Sequence, residues 1–181
     1  MDAFEQIVAG LLFREGFWVT QGYKVELTKD DKKLIKRPSC PRWEIDLLAY
    51  KGATQELLVV ECKSYLDSFG VKAREIIEQP IAKSRYKLFV DKVLRETVLS
   101  RLTQQIHESG LTPPEVIPKL ALAAGKIYSD DRPRLEAHFN RQGWILYDTQ
   151  WLFTKLRSRS ETSYEDSVSD VVSKLIFRNT A

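Results

Sequence analysis

Two apolar runs in the first third of the chain, "WEIDLLAY" (43–50) and "LLVVECKSY" (57–65), are separated by the six residues Lys51–Glu56. Runs of this length around a short polar stretch with a glycine read as the two strands of an antiparallel hairpin. The second run opens with four consecutive apolar residues. Such a strand is buried on both faces, so it predicts a sheet covered on both sides. Yet that strand ends in Glu61 and Lys63, which are costly to bury without partners.

Side chains along a strand alternate between faces. Glu61 and Lys63 therefore share one face, and Val60, Cys62 and Ser64 the other. On the first strand Glu44, Asp46 and Leu48 share a face, with Trp43, Ile45 and Leu47 opposite. A turn centred between Ala53 and Thr54 sets Asp46 across from Glu61, Leu48 across from Val59 and Glu44 across from Lys63. Directly opposed residues have Cβ atoms about 5 Å apart, so Asp46, Glu61 and Lys63 converge on one patch. Two adjacent carboxylates repel unless a cation sits between them or one is protonated. A hard divalent ion, Mg²⁺ or Mn²⁺, suits such an all-oxygen site. It polarises a phosphoryl oxygen and acidifies a bound water. Lys63 then either stabilises developing phosphoryl charge or orients or deprotonates the attacking water. The plain alternative is a surface ion-pair network at a strand end. The position of all three residues within or directly after apolar runs counts against it.

Around the hairpin, Phe4, Ile7, Val8, Leu11 and Leu12 predict a helix over 3–15. A strand with a bulge at Gly22 is expected over 17–27. The stretch 28–42 reads as a polar, basic loop. Further helices are expected over 68–79, capped by Ser68, over 86–110, over 132–143 and over 149–158. Strands are expected over 119–128 and 144–148. A polar linker follows at 158–167. Val168, Val171, Val172 and Leu175 mark a last amphipathic helix. The order predicts an α/β fold with a mixed central sheet flanked by helices, formed by residues 1–157. Residues 158–181 form a linker and C-terminal helix that offers a docking segment to a second copy or a partner subunit.

Asp46, fourteen intervening residues and then Glu61-Cys62-Lys63 resemble the motif of the PD-(D/E)XK nuclease superfamily, although Ile45 stands where the motif's name has proline. The order of elements over residues 3–150 is similar too. The resemblance implies a restriction endonuclease-like fold and a Mg²⁺- or Mn²⁺-dependent enzyme that hydrolyses phosphodiesters, a DNA endonuclease, with RNA left open. It makes Asp46, Glu61 and Lys63 catalytic. It makes Asp46 and Glu61 metal ligands, joined by Glu5 on the first helix. Glu5 is otherwise an acid serving the helix dipole.

The chain has 181 residues and a net charge of only +3, so charge distribution says more than total charge about a nucleic-acid partner. Lys33, Lys36, Arg37 and Arg42 lead into the strand of Asp46, and Lys83 and Arg85 follow the motif. All six are candidates for gripping a phosphate backbone. Two cysteines and two histidines exclude four-cysteine zinc sites and histidine-rich metal sites. Cys62 is expected in the core, and His107 and His138 on solvated helical faces. No phosphate-cradling glycine loop is present. No apolar run reaches membrane-spanning length and no signal peptide is visible, so a cytoplasmic protein is expected. The alternative to cleavage is a nucleic-acid-binding or assembly module with the same fold.

Overall fold

The computed structural model of the chain describes residues 2–78, 80, 84–163 and 166–178. Five strands form one sheet in sequential order: β1 (Trp18–Glu26), β2 (Arg42–Lys51), β3 (Glu56–Lys63), β4 (Pro118–Ala124) and β5 (Ile145–Tyr147). β1, β2 and β3 run antiparallel, and β4 and β5 then join parallel to β3. The sheet is mixed, and helices cover both faces, as the order of elements predicts.

One face is packed by α1 (Ala3–Arg14) and α7 (Thr149–Ser160). Val8, Leu12, Leu152 and Leu156 meet Leu47, Leu58, Val60 and Ala121 there. The other face is packed mainly by α5 (Lys92–Glu108). Leu94, Val98, Leu102 and Ile106 meet Leu48, Val59, Leu120 and Leu122. Leu120 to Ala124 are all buried, which is why "LALAA" is continuously apolar rather than alternating. α1 starts where the Asp2 carboxylate accepts the Phe4 N–H at 3.0 Å, an N-cap that satisfies one orphan donor of the first turn.

Several elements depart from expectation. The stretch expected as a loop holds a helix, α2 (Lys29–Leu34). Thr28 and Asp31 cap it reciprocally, and Asp31 pairs with Arg101 of α5 at 3.3 Å. The helix expected over 68–79 shortens to α3 (Ala73–Ile77), whose first N–H, that of Ala73, donates to the Asp131 carboxylate at 2.9 Å. The one over 86–110 divides into α4 (Lys87–Val90) and α5, because Asp91 leaves helical geometry and its carboxylate caps Leu94 at 3.0 Å. α6 (Arg132–Gln142) closes on Gly143, in the left-handed region at φ 70°. The register of β1 with β2 is the same on both sides of Gly22, so no bulge residue is inserted there.

α7 runs through Ser160, beyond the boundary at residue 157, and α8 (Val168–Phe177) packs against α7 and α1. α8 buries its small polar face, Ser169, Asp170 and Ser173, while Val168, Val171 and Leu175 of the apolar stripe face outward. Asp170 is fully buried and held by the Arg159 guanidinium. That hydrogen bond keeps the Asp170 carboxyl below its ordinary value of 3.8. A depressed carboxyl pKa adds stability above the unfolded pKa, which is lost as the pH falls through the folded one. Asp170→Asn is therefore expected to unfold at lower urea than wild type at pH 7. The difference should shrink as the pH is taken below 3.8, read from denaturation midpoints between pH 3 and 7.

Candidate active site

The turn of the hairpin is Gly52–Gln55, two residues shorter than expected but with the same centre. The register is therefore the expected one, with Leu48 opposite Val59. The ladder between β2 and β3 stops at Leu47 and Val60, one step before Asp46 and Glu61. There the Asp46 side chain replaces the backbone, and its Oδ2 accepts the Cys62 N–H at 2.7 Å. Beyond that point β2 stays paired with β1, while β3 continues on β4 as far as Lys63 and Ala124. The two strands diverge, so Glu44 stands across from Lys24 rather than Lys63.

A second irregularity lies at the same level. Ile45 packs in the core under α5 together with Leu48, whereas Leu47 packs under α1. The expected grouping of Ile45 with Leu47 is thus broken at Asp46. Gly22 stands across from Asp46, between the pairs Gln21–Leu47 and Tyr23–Ile45, with φ at 60°. Glycine enters this left-handed region without the steric cost of a Cβ. Both strands change facing here, and Asp46 sits at the change.

Glu61 and Lys63 extend from the last turn of β3's pleat. Lys63 Nζ lies 2.7 Å from Glu61 Oε1 and 3.9 Å from Asp46 Oδ2, with the three side chains 19–24% exposed. Lys63 also donates to the Cys62 carbonyl at 3.1 Å. Burial raises the Glu61 pKa; Asp46 and Glu5 push it further up, while Lys63 opposes them. Burial acts to lower the Lys63 pKa, but the Glu61 charge and hydrogen bond, helped by Asp46, outweigh it and the pKa is raised. Lys63 is therefore an ammonium at neutral pH. Cys62 is buried, as expected, and burial pushes its thiol pKa well above the ordinary value. It is an inert core residue.

Glu5 is turned to the start of its own helix, where its Oε2 accepts the Asp2 N–H at 3.5 Å in a capping box. It acts on Glu61 through charge alone. Among the described residues no group of three or more His, Cys, Asp and Glu side chains is gathered as a metal cage. The oxygens Asp46 Oδ1 and Glu61 Oε2 nonetheless carry no hydrogen bond or ion pair among the described residues. Free carboxylate oxygens on adjacent strands are the donor set a hard divalent cation uses, so the residues fit Mg²⁺ or Mn²⁺.

The basic candidates separate. Arg42 pairs with Glu26 at 2.8 Å, Lys33 with Asp30 at 3.4 Å, and Arg37 lies over the Trp43 ring at 5.4 Å. Lys36 is exposed. Arg85 is linked to the site electrostatically: its interaction with Tyr65 raises its pKa, and Tyr65 in turn acts on Lys63. Lys83 lies outside the described residues. Tyr65 escaped the sequence reading, although it closes the run "ECKSY". The histidines are not solvated as expected. His107 Nε2 is buried without a hydrogen-bond partner among the described residues. His138 packs against Phe139 and Trp144, and burial lowers its pKa.

No family model and no curated protein matches the chain. Among solved structures it is similar to one described as "Crystal Structure of Protein of Unknown Function AF1548", 15% identical, over 91% of this chain and 73% of that one, with a TM-score of 0.45. Among the described residues no helix is long and apolar enough to cross a membrane.

A buried acid with a raised pKa lowers stability as the pH climbs through its unfolded and then its folded pKa. Glu61→Gln, which keeps an acceptor for Lys63, is expected to be more stable than wild type at pH 7, by about 0.5–2 kcal/mol. The gain should vanish below the unperturbed value of 4.5, where Glu61 is protonated folded and unfolded alike. Urea denaturation of both proteins from pH 4 to 8 reads it.

Proposed function

We propose that the chain is a metal-dependent nuclease of the PD-(D/E)XK type, with a restriction endonuclease-like fold, that hydrolyses phosphodiester bonds in DNA. One observation carries this reading: Asp46, Glu61 and Lys63 meet where β2 and β3 part, with two carboxylate oxygens free and one ammonium between the acids. A purely structural ion-pair cluster has no need to interrupt a buried ladder.

Asp46 and Glu61 would hold Mg²⁺ or Mn²⁺, with Glu5 adding negative potential nearby. The bound ion supplies Lewis-acid polarisation and a more acidic water. The chain's own contribution is positional and electrostatic. The Cys62 N–H fixes the Asp46 carboxylate. The Lys63 ammonium, held charged by Glu61, is placed to neutralise charge that builds on the phosphoryl oxygens. This favours the electrostatic role over general-base work, which needs a neutral amine. Water would be the nucleophile: its oxygen bonds to phosphorus as a P–O bond to the sugar breaks, one of its protons passes to solvent, and the departing sugar oxygen takes up a proton from solvent. Arg85 would steady the backbone.

The second reading is a binding or assembly module that does not cleave. It is favoured by the 2.7 Å Lys63–Glu61 pair, since two of the three charges already satisfy each other.

Incubation with supercoiled, linear and single-stranded DNA and with RNA, in Mg²⁺ or Mn²⁺ with an EDTA control, separates the two. Cleavage that EDTA abolishes, and that falls about a hundredfold or more in folded Asp46→Ala and Lys63→Ala, is the expected result. Metal-dependent cutting that survives both substitutions would overturn the assignment of the site. Binding without cutting would favour the module.

A further inference from the structure

The turn that leaves β3 and the segment that leaves β4 carry large side chains in the open. Leu66 is 63% exposed, Phe69 72% and Tyr128 41%. The Phe69 and Tyr128 rings meet edge to face with centroids 6.3 Å apart, and Lys72 Nζ lies 5.0 Å and 5.2 Å from the two centroids. Neither ring belongs to either core cluster.

This turn is held firmly. Ser68 Oγ donates to the Tyr65 carbonyl and accepts the Gly70 N–H, so it braces the turn instead of capping α3. Lys126 Nζ donates to the Ser68 carbonyl at 2.7 Å. Val71 N–H donates to the Lys126 carbonyl and Tyr128 N–H to the Val71 carbonyl, both at 2.9 Å. Gly70, at φ 87°, lets the two segments touch, because a Cβ there would come within 2.9 Å of the Lys126 carbonyl oxygen. Exposed rings on a braced turn present area that is ordered in advance, which lowers the cost of binding.

The patch follows the candidate active site closely along the backbone. Lys63 and Ala124 are the last pair of the β3–β4 ladder, and Gly125 N–H donates to the Lys63 carbonyl at 2.9 Å. Three residues lie between Ala124 and Tyr128, so four Cα–Cα steps give a reach of at most about 14 Å. Its charge is mixed: Lys72 and Lys126 are joined by exposed Asp67 and Asp130 in the same segments. A duplex, which shows mainly phosphates, is gripped by a broad basic surface. What this patch has in excess is ring area with a cation beside it. Unpaired bases present π-faces that stack on aromatic side chains whatever their sequence, and Arg or Lys adds cation–π attraction.

We propose that Phe69, Tyr128 and Lys72 form a stacking platform for unpaired bases, so that the site acts on single-stranded nucleic acid or on a single-stranded segment. The proposal rests on the nuclease reading for its consequence, but its test does not need cleavage. Full-length protein is titrated in EDTA, by fluorescence anisotropy, with a ten-nucleotide oligothymidine, an abasic strand of the same length and a duplex. Oligothymidine is expected to bind roughly tenfold or more tighter than either competitor. Phe69→Ala with Tyr128→Ala should remove that margin while leaving abasic binding and the urea midpoint unchanged, and Phe69→Trp should keep it. Equal binding of the oligothymidine and abasic strands, or an unchanged margin in the folded double variant, would overturn the platform. The parallel cleavage assay keeps the two ideas apart. Base-dependent binding through these rings without any cutting sinks the nuclease reading and supports the platform, and cutting indifferent to the rings does the reverse.

Discussion

The hydrogen bond from the Cys62 N–H to the Asp46 carboxylate is the point on which this architecture turns. A backbone donor inside a sheet must find an acceptor, because leaving it unpaired costs as much as a lost hydrogen bond. In β3 the donor of Cys62 is met by a side chain of β2 instead of a β2 carbonyl. The carboxylate is thereby fixed, and the two strands are free to separate. Glu61 and Lys63 then project where the sheet has opened, without breaking a row of backbone bonds elsewhere. β3 loses nothing on its other side, since β4 pairs with it through Lys63.

The charges at this opening balance imperfectly, and the imbalance follows from the geometry. Asp46 and Glu61 are two acids facing one ammonium, with Glu5 adding more negative potential. Burial strengthens every one of these interactions by lowering the local dielectric. Lys63 is consequently locked as a cation while Glu61 becomes harder to ionise. An arrangement that holds surplus negative charge among half-buried side chains is destabilising for the fold.

Much of this was legible in the sequence, and the parts that were not have physical causes. The hairpin register was readable because alternation and turn centre agree, and an error of two in turn length leaves the centre unchanged. The partner expected for Lys63 was misplaced, because the reading assumed two strands paired to their ends, whereas Asp46 cuts the ladder short. The grouping of Ile45 with Leu47 failed at the same place, where Gly22 allows both strands to turn over. α2 was hidden in a polar stretch, since six residues with no buried side chain show no periodicity. Its signal was the Thr28–Asp31 capping pair. The apolar stripe of α8 was visible, but which face a helix buries depends on its neighbours. Here Arg159 drew Asp170 inward and left Val168, Val171 and Leu175 outside, with Val172 half-buried against the core.

The parallel pair β3–β4 has a consequence beyond pairing. In an open sheet the chain leaves parallel strands at the same end, so the segments after them are brought together there. The segment after Lys63 and the segment after Ala124 are bound to each other through Val71, Lys126 and Tyr128. Phe69 and Tyr128 therefore stand on segments that are tied to each other directly after the strands carrying Lys63 and Ala124. A long side chain such as Lys63 would otherwise be loosely placed, because its rotamer freedom is costly to remove. Its ammonium is held instead by the carboxylates of the opened hairpin and the Cys62 carbonyl, while the Gly125 N–H holds its backbone carbonyl.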